Sequence, residues 1–330
     1  KQQRCSTGEE RRVVTCEKCM LEYSDQIATI RATLPEEIDC VGYKVDNFED
    51  QEKLGCISRE PRCAIAHKFP PERVLSKLLA IDIQVGRSGV QTPVARLEPT
   101  FVGGVFVSNA TLHNFDGIKT KDVRVGDYVY IERSGDVIPA VVGPELSKRD
   151  PNSLAFSVPS ACSCCGSALS QEDDEVAMFC TGGSICSAQS LGRLEHFVGR
   201  RMMELDGWGD KVLSALHDQL GITQIDQLYT LTTDDLLKIP RMGDKKASNL
   251  IAAREVTKTR PLARFIHALG IRGVGESTGK DLAQTFKTLD KFLTATDEEL
   301  LKVPGVGKTT SNAIRSYLNV PGHLVLLENM

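Results

Sequence analysis

Near its C-terminal end the chain carries "VPGVGKTT" (Val303–Thr310), in which a glycine-bearing turn precedes a helical segment. Three earlier stretches repeat this arrangement: "LDGWGDK" (Leu205–Lys211), "IPRMGDKKA" (Ile239–Ala247) and "IRGVGESTG" (Ile271–Gly279). The matching glycines are Gly209, Gly243, Gly275 and Gly307, which are 34, 32 and 32 residues apart. A period of this kind predicts a repeated structural unit over the C-terminal part of the chain.

The landmark of each repeat is a tight turn, whereas helical solenoids of similar repeat length carry their landmark residues inside helices. We therefore interpret the repeats as four helix-hairpin-helix motifs. Glycine lets the backbone approach closely, so the amides at the N-terminus of the following helix can face a phosphate oxygen. Such contacts position a DNA duplex without reading its sequence. The lysines that follow the turns either add phosphate contacts or form solvated helix faces; they are Lys211, Lys245, Lys246, Lys280 and Lys308.

The charge of the chain is compatible with this interpretation. The 330 residues carry a net charge of −4, but residues 190–320 hold 19 Lys and Arg against 16 Asp and Glu, a local charge of +3. The position of the charge matters more than the total for binding nucleic acid. The sequence has no apolar run of membrane-spanning length and no apolar segment near its start. We therefore expect a cytoplasmic monomer that does not associate with a membrane.

Four cysteines in "CSCCGSALSQEDDEVAMFCTGGSIC" (Cys162–Cys186) have the spacing of a metal site. Cys162 and Cys165 form one close pair, and Cys180 and Cys186 form a second pair fourteen residues later. Two such pairs can place four thiolates at the corners of a tetrahedron, which is the geometry of a closed, structural Zn²⁺ site. Cys164 adjoins Cys165 and is the alternative ligand in the first pair.

The remaining cysteines do not predict a disulfide framework. The chain has eleven cysteines, an odd number, without a secretory context, and reduced thiols are the expectation there. A second C-x-x-C, formed by Cys16 and Cys19, has no partner pair nearby. We expect it to have no metal-binding role.

Residues 72–150 have the pattern of a small β-barrel. Short β-branched or aromatic stretches such as "GVFVSNATL" and "DYVYIER" alternate with glycine-rich turns. Two arginines lie in such turns, Arg87 in "VGRSG" and Arg133 in "IERSGD". Their glycine neighbours leave room for a phosphate, so both are candidates for DNA-backbone contact. Bracing of the barrel turns is the alternative role.

Several longer strings resemble the NAD-dependent DNA ligases of bacteria: "IDCVGYKVDN", "REPRCAIAHKFP", "VGRSGVQTPVARLEP", "VSNATLHN" and "VGDYVYIERSGDVIP". With the cysteine cluster and the four hairpins, the resemblance covers about residues 36–320. It implies an OB-fold barrel, a zinc-binding cluster and hairpins that hold nicked duplex DNA. The implied multidomain α+β organisation is an adenylation-domain remnant (1–70), an OB-fold (71–150), a four-cysteine zinc finger (151–190), a helix-hairpin-helix domain (191–322) and a linker end (323–330).

The family makes a lysine–AMP adduct from NAD⁺, transfers AMP to the 5′-phosphate at a nick and then seals the nick, with Mg²⁺ assisting phosphoryl transfer. By resemblance, Lys44 and Lys68 belong to the adenylate pocket, and Cys40 and Cys63 depart from the family pattern in a way expected to weaken it. "KVDN" (Lys44–Asn47) differs from the family's nucleophile motif K-x-D-G, which does not occur in this sequence. We therefore expect no catalytic nucleophile in this chain. The leading hypothesis is the central and C-terminal part of a ligase, and the alternative is a non-catalytic protein that binds duplex DNA.

Overall fold

The computed structural model describes residues 12–34, 38–57, 60–102, 105–134, 138–171 and 175–320. The chain divides into two compact units. The first unit comprises Lys1–Ile83 and Thr92–Val158, and the second comprises Gln84–Gln91 and Pro159–Met330. Among the described helices, none is both long and apolar enough to cross a membrane.

The N-terminal part of the first unit contains two helices and two small sheets. Its elements are α1 (Glu17–Ile30), β1 (Cys40–Lys44), α2 (Phe48–Leu54), β2 (Cys56–Ile57), β3 (Glu60–Pro61) and β4 (Ala64–Lys68). Strand β1 pairs with β4, and β2 pairs with β3, both antiparallel. Cys16 and Cys19 are joined by a disulfide at the start of α1. This bond corrects the expectation of reduced thiols outside the cysteine cluster, because the C-x-x-C spacing brings the two thiols together across the first turn of α1.

The rest of the first unit is a closed five-stranded barrel. Its elements are β5 (Arg73–Val85), β6 (Gln91–Val102), β7 (Val105–Thr111), α3 (Phe115–Lys121), β8 (Tyr128–Ser134) and β9 (Ile138–Pro144). The strands follow the order β5-β6-β7-β9-β8, and a parallel pairing of β7 with β9 closes the barrel. Its interior is filled by Leu78, Ala95, Val129 and Ile131, each fully buried. The barrel that the sequence predicts is therefore present, although β5 and β6, with 13 and 12 residues, are longer than the short strands expected.

A buried ion pair fixes the chain segment that follows the barrel. The Arg149 guanidinium donates to Asp127 through Nε and Nη2, at 3.0 and 2.8 Å. The Asp127 side chain is only 1% exposed, and the Arg124 amide donates to it as well. A buried carboxylate requires such partners, since an unpaired charge in this position would destabilise the fold.

The second unit is mainly helical. Its two short strands are β10 (Leu169–Ser170) and β11 (Phe179–Cys180). Its helices are α4 (Ser187–Val198), α5 (Asp210–Leu220), α6 (Ile225–Thr230), α7 (Thr233–Leu237), α8 (Asp244–Thr257), α9 (Leu262–Ala268), α10 (Glu276–Phe286), α11 (Leu289–Leu293), α12 (Asp297–Leu301) and α13 (Lys308–Leu318). One apolar core runs through these helices and includes Trp208, Phe197 and Phe292. The predicted fold class, a mixed α+β chain with an OB-like barrel, a cysteine cluster and helical repeats, is confirmed.

Candidate functional sites

The four repeats form four equivalent turns between helices. In each turn the amide of one apolar residue donates to the carbonyl of the apolar residue three positions earlier. The pairs are Trp208 to Leu205, Met242 to Ile239, Val274 to Ile271 and Val306 to Val303, at 3.0–3.2 Å. All eight of these side chains are at most 8% exposed. The apolar residues of the repeats therefore anchor each turn in the core, and the residues between them project outward.

One position inside each turn has a left-handed backbone. Gly207, Gly273 and Gly305 occupy it with φ of 81°, 79° and 77°, a conformation that favours glycine. In the second turn the same position holds Arg241, with φ of 65°. An arginine here carries backbone strain, and its side chain is exposed at the turn. The sequence signal was the missing glycine in "IPRMG", but a missing glycine does not reveal the backbone angle.

The repeat glycines occupy a different position, directly before the second helix of each hairpin. Gly209, Gly243, Gly275 and Gly307 are the N-caps of α5, α8, α10 and α13, with φ between −80° and −92°. A Cβ atom added to any of these glycines would meet no atom within 4 Å. Folding therefore does not require glycine at these four positions, either for backbone angle or for space.

No side chain caps these four helices. By contrast, Thr232, Thr288 and Thr296 cap α7, α11 and α12 by accepting a hydrogen bond from a backbone amide of the first turn. An uncapped helix N-terminus presents unpaired amides and the positive end of the helix dipole. The four hairpins therefore present four openings of the same kind, each suited to an anionic oxygen.

The hairpins associate in two pairs. The Trp208 indole N–H of the first hairpin donates to the Leu250 carbonyl in α8, at 3.0 Å. In the second pair, a Cβ atom on Gly273 would lie 3.1 Å from Thr310 Oγ1 in α13. Each pair thus brings two hairpin turns together within five consecutive helices, α4–α8 in the first pair and α9–α13 in the second.

The predicted lysines of the hairpins are all exposed; they are Lys211, Lys245, Lys246, Lys280 and Lys308. Lys280 forms an ion pair with Glu276 one helical turn earlier, with Nζ 3.0 Å from Oε1. The first residue of α5, α8 and α10 is acidic, whereas α13 begins with Lys308. The fourth hairpin consequently has the least negative charge at its opening.

The four predicted cysteine ligands lie together. The Sγ atoms of Cys162, Cys165, Cys180 and Cys186 are within 4.8 Å of one another, and three of the residues are buried. A tetrahedral Zn²⁺ with Zn–S bonds of about 2.3 Å requires sulfur atoms about 3.8 Å apart, so this donor set fits the ion. Cys164 is exposed and is not one of these four; its sulfur contacts the Ser187 hydroxyl at 3.1 Å and the Cys186 side chain. The geometry therefore favours the predicted four over the alternative with Cys164.

The surroundings of the cluster also suit thiolates. The Gly182 amide donates to Cys180 Sγ at 3.3 Å, and a Cβ atom on Gly182 would lie 2.8 Å from Cys165 Sγ. A hydrogen bond with Ser167 lowers the pKa of Cys165 to about 6. Burial instead raises the pKa of Cys186 to about 12. Four thiolates this close together need a cation to be ionised at once, which a bound metal supplies.

Arg87 lies in the second unit with the rest of residues 84–91. Its backbone passes helix α4 so closely that a Cβ atom on Gly192 would lie 3.0 Å from Arg87 Cβ. Partial desolvation lowers the pKa of the Arg87 guanidinium, although the residue as a whole remains exposed. Arg133 belongs to β8, and its side chain lies outside the described residues.

Lys44 and Lys68 lie at opposite ends of the β1–β4 pair. The register places Lys44 opposite Ala64 and Lys68 opposite Cys40. Side chains of one strand alternate between faces, so both lysines lie on the same face, about 13 Å apart along the strands. Between them the face carries only Gly42 and Ala66, and a Cβ atom on Gly42 would meet nothing within 4 Å. The result is a flat surface of small residues with a cation at each end.

The charge at one end of this face is partly balanced. Lys68 Nζ lies 3.2 Å from Asp39 Oδ2. Hydrogen bonds from Cys40 and Lys68 lower the pKa of Asp39. Cys63, the other residue that departs from the family pattern, is buried, with 6% of its surface exposed. Cys40 thus hydrogen-bonds Asp39, the carboxylate that pairs with Lys68 at this end of the face.

Comparison with known protein families assigns the barrel, the segment before it and the paired hairpins to described domain types. Residues 2–72 match the NAD-dependent DNA ligase adenylation domain, and residues 75–153 match the OB-fold domain of the same enzymes. Residues 199–255 match a SAM-like helix-hairpin-helix tandem, and residues 264–327 match a helix-hairpin-helix motif.

Curated relatives agree with these matches. A protein named DNA ligase from Methylococcus capsulatus is 48% identical over 312 residues, which are 94% of this chain and 46% of that protein. Another protein named DNA ligase, from Hahella chejuensis, is 46% identical over 308 residues, or 93% of this chain and 45% of that protein. The chain belongs to the NAD-dependent DNA ligase family. It spans about half the length of the curated relatives it matches.

Proposed function

We propose that this chain holds nicked duplex DNA and contributes the C-terminal part of the adenylate pocket to NAD-dependent nick sealing. The observation that carries the proposal is the set of four N-cap glycines. The fold does not need glycine at these positions, yet each of the four helices that follow a hairpin turn has a glycine as its N-cap. An open approach for a phosphate oxygen accounts for this choice.

The sealing reaction proceeds through lysine–AMP and DNA–adenylate intermediates. Lys68, at one end of the β1–β4 face, binds the nucleotide near its phosphate, and Lys44, at the other end, is a second lysine of the adenylate pocket. Gly42 and Ala66, the small residues between the two lysines, leave room for a planar group to lie against the sheet. The nucleophilic lysine comes from a K-x-D-G motif outside this sequence. Mg²⁺ supplies charge neutralisation during phosphoryl transfer.

On the DNA side, the four hairpins contact the backbone on both strands around the nick. The amides before α5, α8, α10 and α13 bind phosphate oxygens, and the neighbouring lysines add charge. Arg87, in the turn after β5, and Arg133, near the end of strand β8, contribute further backbone contacts. A Zn²⁺ ion bound by Cys162, Cys165, Cys180 and Cys186 holds the cysteine cluster together and takes no part in the chemistry.

The oligomeric state, location, biological role and domain organisation are proposed together with this activity. The protein acts as a monomer in the bacterial cytoplasm, in DNA replication and repair, where NAD⁺ and nicked duplexes occur together. The chain is organised as an adenylation-domain remnant, an OB-fold, a zinc finger and a helix-hairpin-helix domain with the boundaries that the sequence predicts. The matches to both ligase-specific domains support this division.

A complementation experiment separates this function from simple duplex binding. The chain is mixed with a polypeptide that carries the upstream, nucleophile-bearing part of a relative, together with NAD⁺, Mg²⁺ and a labelled nicked duplex. We expect sealed product only when both polypeptides are present. Intact mass measured after incubating the chain alone with NAD⁺ and Mg²⁺ should show no AMP-sized increase, and an increase would contradict the absence of a nucleophile. Duplex binding without sealing by the mixture would favour the non-catalytic alternative.

A further inference from the structure

One wall of the cysteine cluster comes from a distant part of the sequence. The segment Gln84–Gln91 joins strands β5 and β6 of the barrel, yet it belongs to the second unit. The Gln91 amide donates to the Met178 carbonyl, and the Cys180 amide donates to the Gly89 carbonyl, both at 2.8 Å. The segment therefore adds a short antiparallel strand beside the metal ligand Cys180.

The Gln91 side chain points from the segment toward the cysteine cluster. Gln91 is 1% exposed, and its Nε2 atom lies 3.1 Å from the Gly89 carbonyl and 3.9 Å from Cys162 Sγ. Its Oε1 atom is buried and has no hydrogen-bond partner in the described protein. A buried amide normally pairs both of its ends. An orientation that leaves the oxygen unpaired and turns the N–H group toward sulfur is the one that a thiolate favours.

The fit of the segment leaves no space for larger residues. A Cβ atom on Gly89 would lie 2.7 Å from the Cys180 carbonyl oxygen, and the backbone of Gly89 has φ of 87°. Val85, at the other end of the segment, packs against the buried cysteines. The segment and the cysteine cluster thus share one small core, so neither is expected to keep its conformation without the other.

Arg87 lies at the tip of the same segment, where one side of it contacts two glycines of the helical unit. A Cβ atom on Gly192 would lie 3.0 Å from Arg87 Cβ, and one on Gly270 would lie 3.8 Å from Arg87 Nε. His196, beside Gly270, donates from Nε2 to the His267 carbonyl at 3.1 Å. Burial lowers the pKa of His196 to about 4, so it is neutral next to the guanidinium at physiological pH.

We propose that Gln91 is a positioning residue for the metal site: it hydrogen-bonds the Cys162 thiolate, and metal binding thereby fixes the segment Gln84–Gln91 and aims Arg87. The inference rests on the proposed zinc site. It assigns to the zinc an effect on a residue predicted to contact DNA, in addition to its effect on the cysteine cluster. Partners that orient metal ligands typically change metal affinity by roughly 10–100-fold when they are removed.

The first test measures metal retention. Gln91→Met keeps the volume of the side chain and removes the donor, and Gln84→Met makes the same change at an exposed glutamine of the same segment. Zinc release to a chromogenic chelator is followed in the full chain, with circular dichroism to show that each variant is folded. We expect release at least about tenfold faster from Gln91→Met and an unchanged rate from Gln84→Met. The thiolate-to-metal charge-transfer band of the Co²⁺-substituted chain should shift only in Gln91→Met.

The second test uses the parent chain and does not depend on the folding of a variant. Hydrogen exchange is measured on the zinc-loaded chain and after chelation. We expect the amides of residues 84–91 to lose protection on chelation, while those of β7 in the barrel keep theirs. Unchanged exchange in residues 84–91, or equal zinc release from a folded Gln91→Met variant, would overturn the inference. A parent chain that binds no zinc at all would instead refute the zinc site itself, and the inference with it.

Discussion

The two glycines of the fourth hairpin separate DNA binding from folding. Gly305 and Gly307 lie two residues apart, and a Cβ atom at either would meet nothing within 4 Å. They differ in backbone angle, because Gly305 has φ of 77° whereas Gly307 has φ of −92°. The substitutions Gly305→Ala and Gly307→Ala therefore add the same methyl group to the same turn, under different backbone constraints.

The expected stability changes follow from these angles. Alanine at position 305 is forced into the left-handed region, which costs about 1–2 kcal/mol. Alanine at position 307 has an ordinary φ and loses only the N-cap preference for glycine, at most about 1 kcal/mol. Urea unfolding measures both changes through Trp208, the single tryptophan of the chain. Its side chain is 1% exposed in the core of the helical unit, so its fluorescence reports unfolding of that unit.

The expected loss of DNA affinity is larger for Gly307→Ala than for Gly305→Ala, which is the reverse of the order for stability. The methyl group of Gly307→Ala stands where a phosphate oxygen approaches the first amides of α13, and a hydrogen bond to a charged group contributes about 1.5–3 kcal/mol. We expect the Kd for a nicked duplex to rise about tenfold or more in Gly307→Ala. The rise in Gly305→Ala should be smaller. Fluorescence anisotropy with a labelled duplex measures both values.

This reasoning would be refuted by either of two results. The first is that Gly307→Ala binds DNA as tightly as the parent chain, which would show that the N-cap glycine does not serve phosphate approach. The second is that Gly307→Ala loses as much stability as Gly305→Ala. The glycine would then be needed for folding, and the observation that carries the proposed function would no longer support it.

Three further predictions concern the cysteine cluster, the barrel and pH. Cys165→Ser should abolish zinc binding measured by atomic absorption, while Cys164→Ser should retain one equivalent, and equal loss in both would exclude the predicted ligand set. Arg149→Met leaves the Asp127 carboxylate buried without its counter-ion, with only the Arg124 amide donating to it, so chemical denaturation should show a loss of about 3–5 kcal/mol; a loss below about 1 kcal/mol would contradict this. His196 has a pKa of about 4 in the folded chain against an ordinary 6.5, so the unfolded state takes up the extra proton as pH falls between these values and stability declines. His196→Gln should therefore lose less stability than the parent between pH 7 and 5, and parallel profiles would refute the assignment.

The repeated hairpins could be predicted from sequence because the chemistry of a turn is local. Two apolar residues three positions apart, with glycines between and after them, determine both the turn and the start of the next helix. The backbone conformation of Arg241 is a feature of the hairpins that local sequence reasoning does not predict. Its exposed side chain suggests an ordinary surface residue, and only the backbone angle of 65° shows that it occupies a strained position that the other hairpins give to glycine.

Contacts between distant segments could not be predicted. The stretch "VGRSGVQ" has the pattern of a barrel turn. The sequence does not indicate that the Gln91 side chain contacts Cys162, or that the Cys180 amide donates to the Gly89 carbonyl. Likewise, Lys44 and Lys68 were each assigned to the adenylate pocket by resemblance alone. Their shared face depends on the antiparallel register of β1 and β4, which a single sequence does not determine.

The most direct test of the central claim is the salt dependence of binding to a nicked duplex. If the hairpin amides and their exposed lysines contact phosphates, log Kobs should fall linearly with log salt, with a slope of about −0.9 for each phosphate neutralised. Contacts from the four hairpins together predict a slope steeper than about −3. Affinity should also vary little with the base sequence around the nick. Failure to bind a nicked duplex at low salt, or binding that does not respond to salt, would contradict the account.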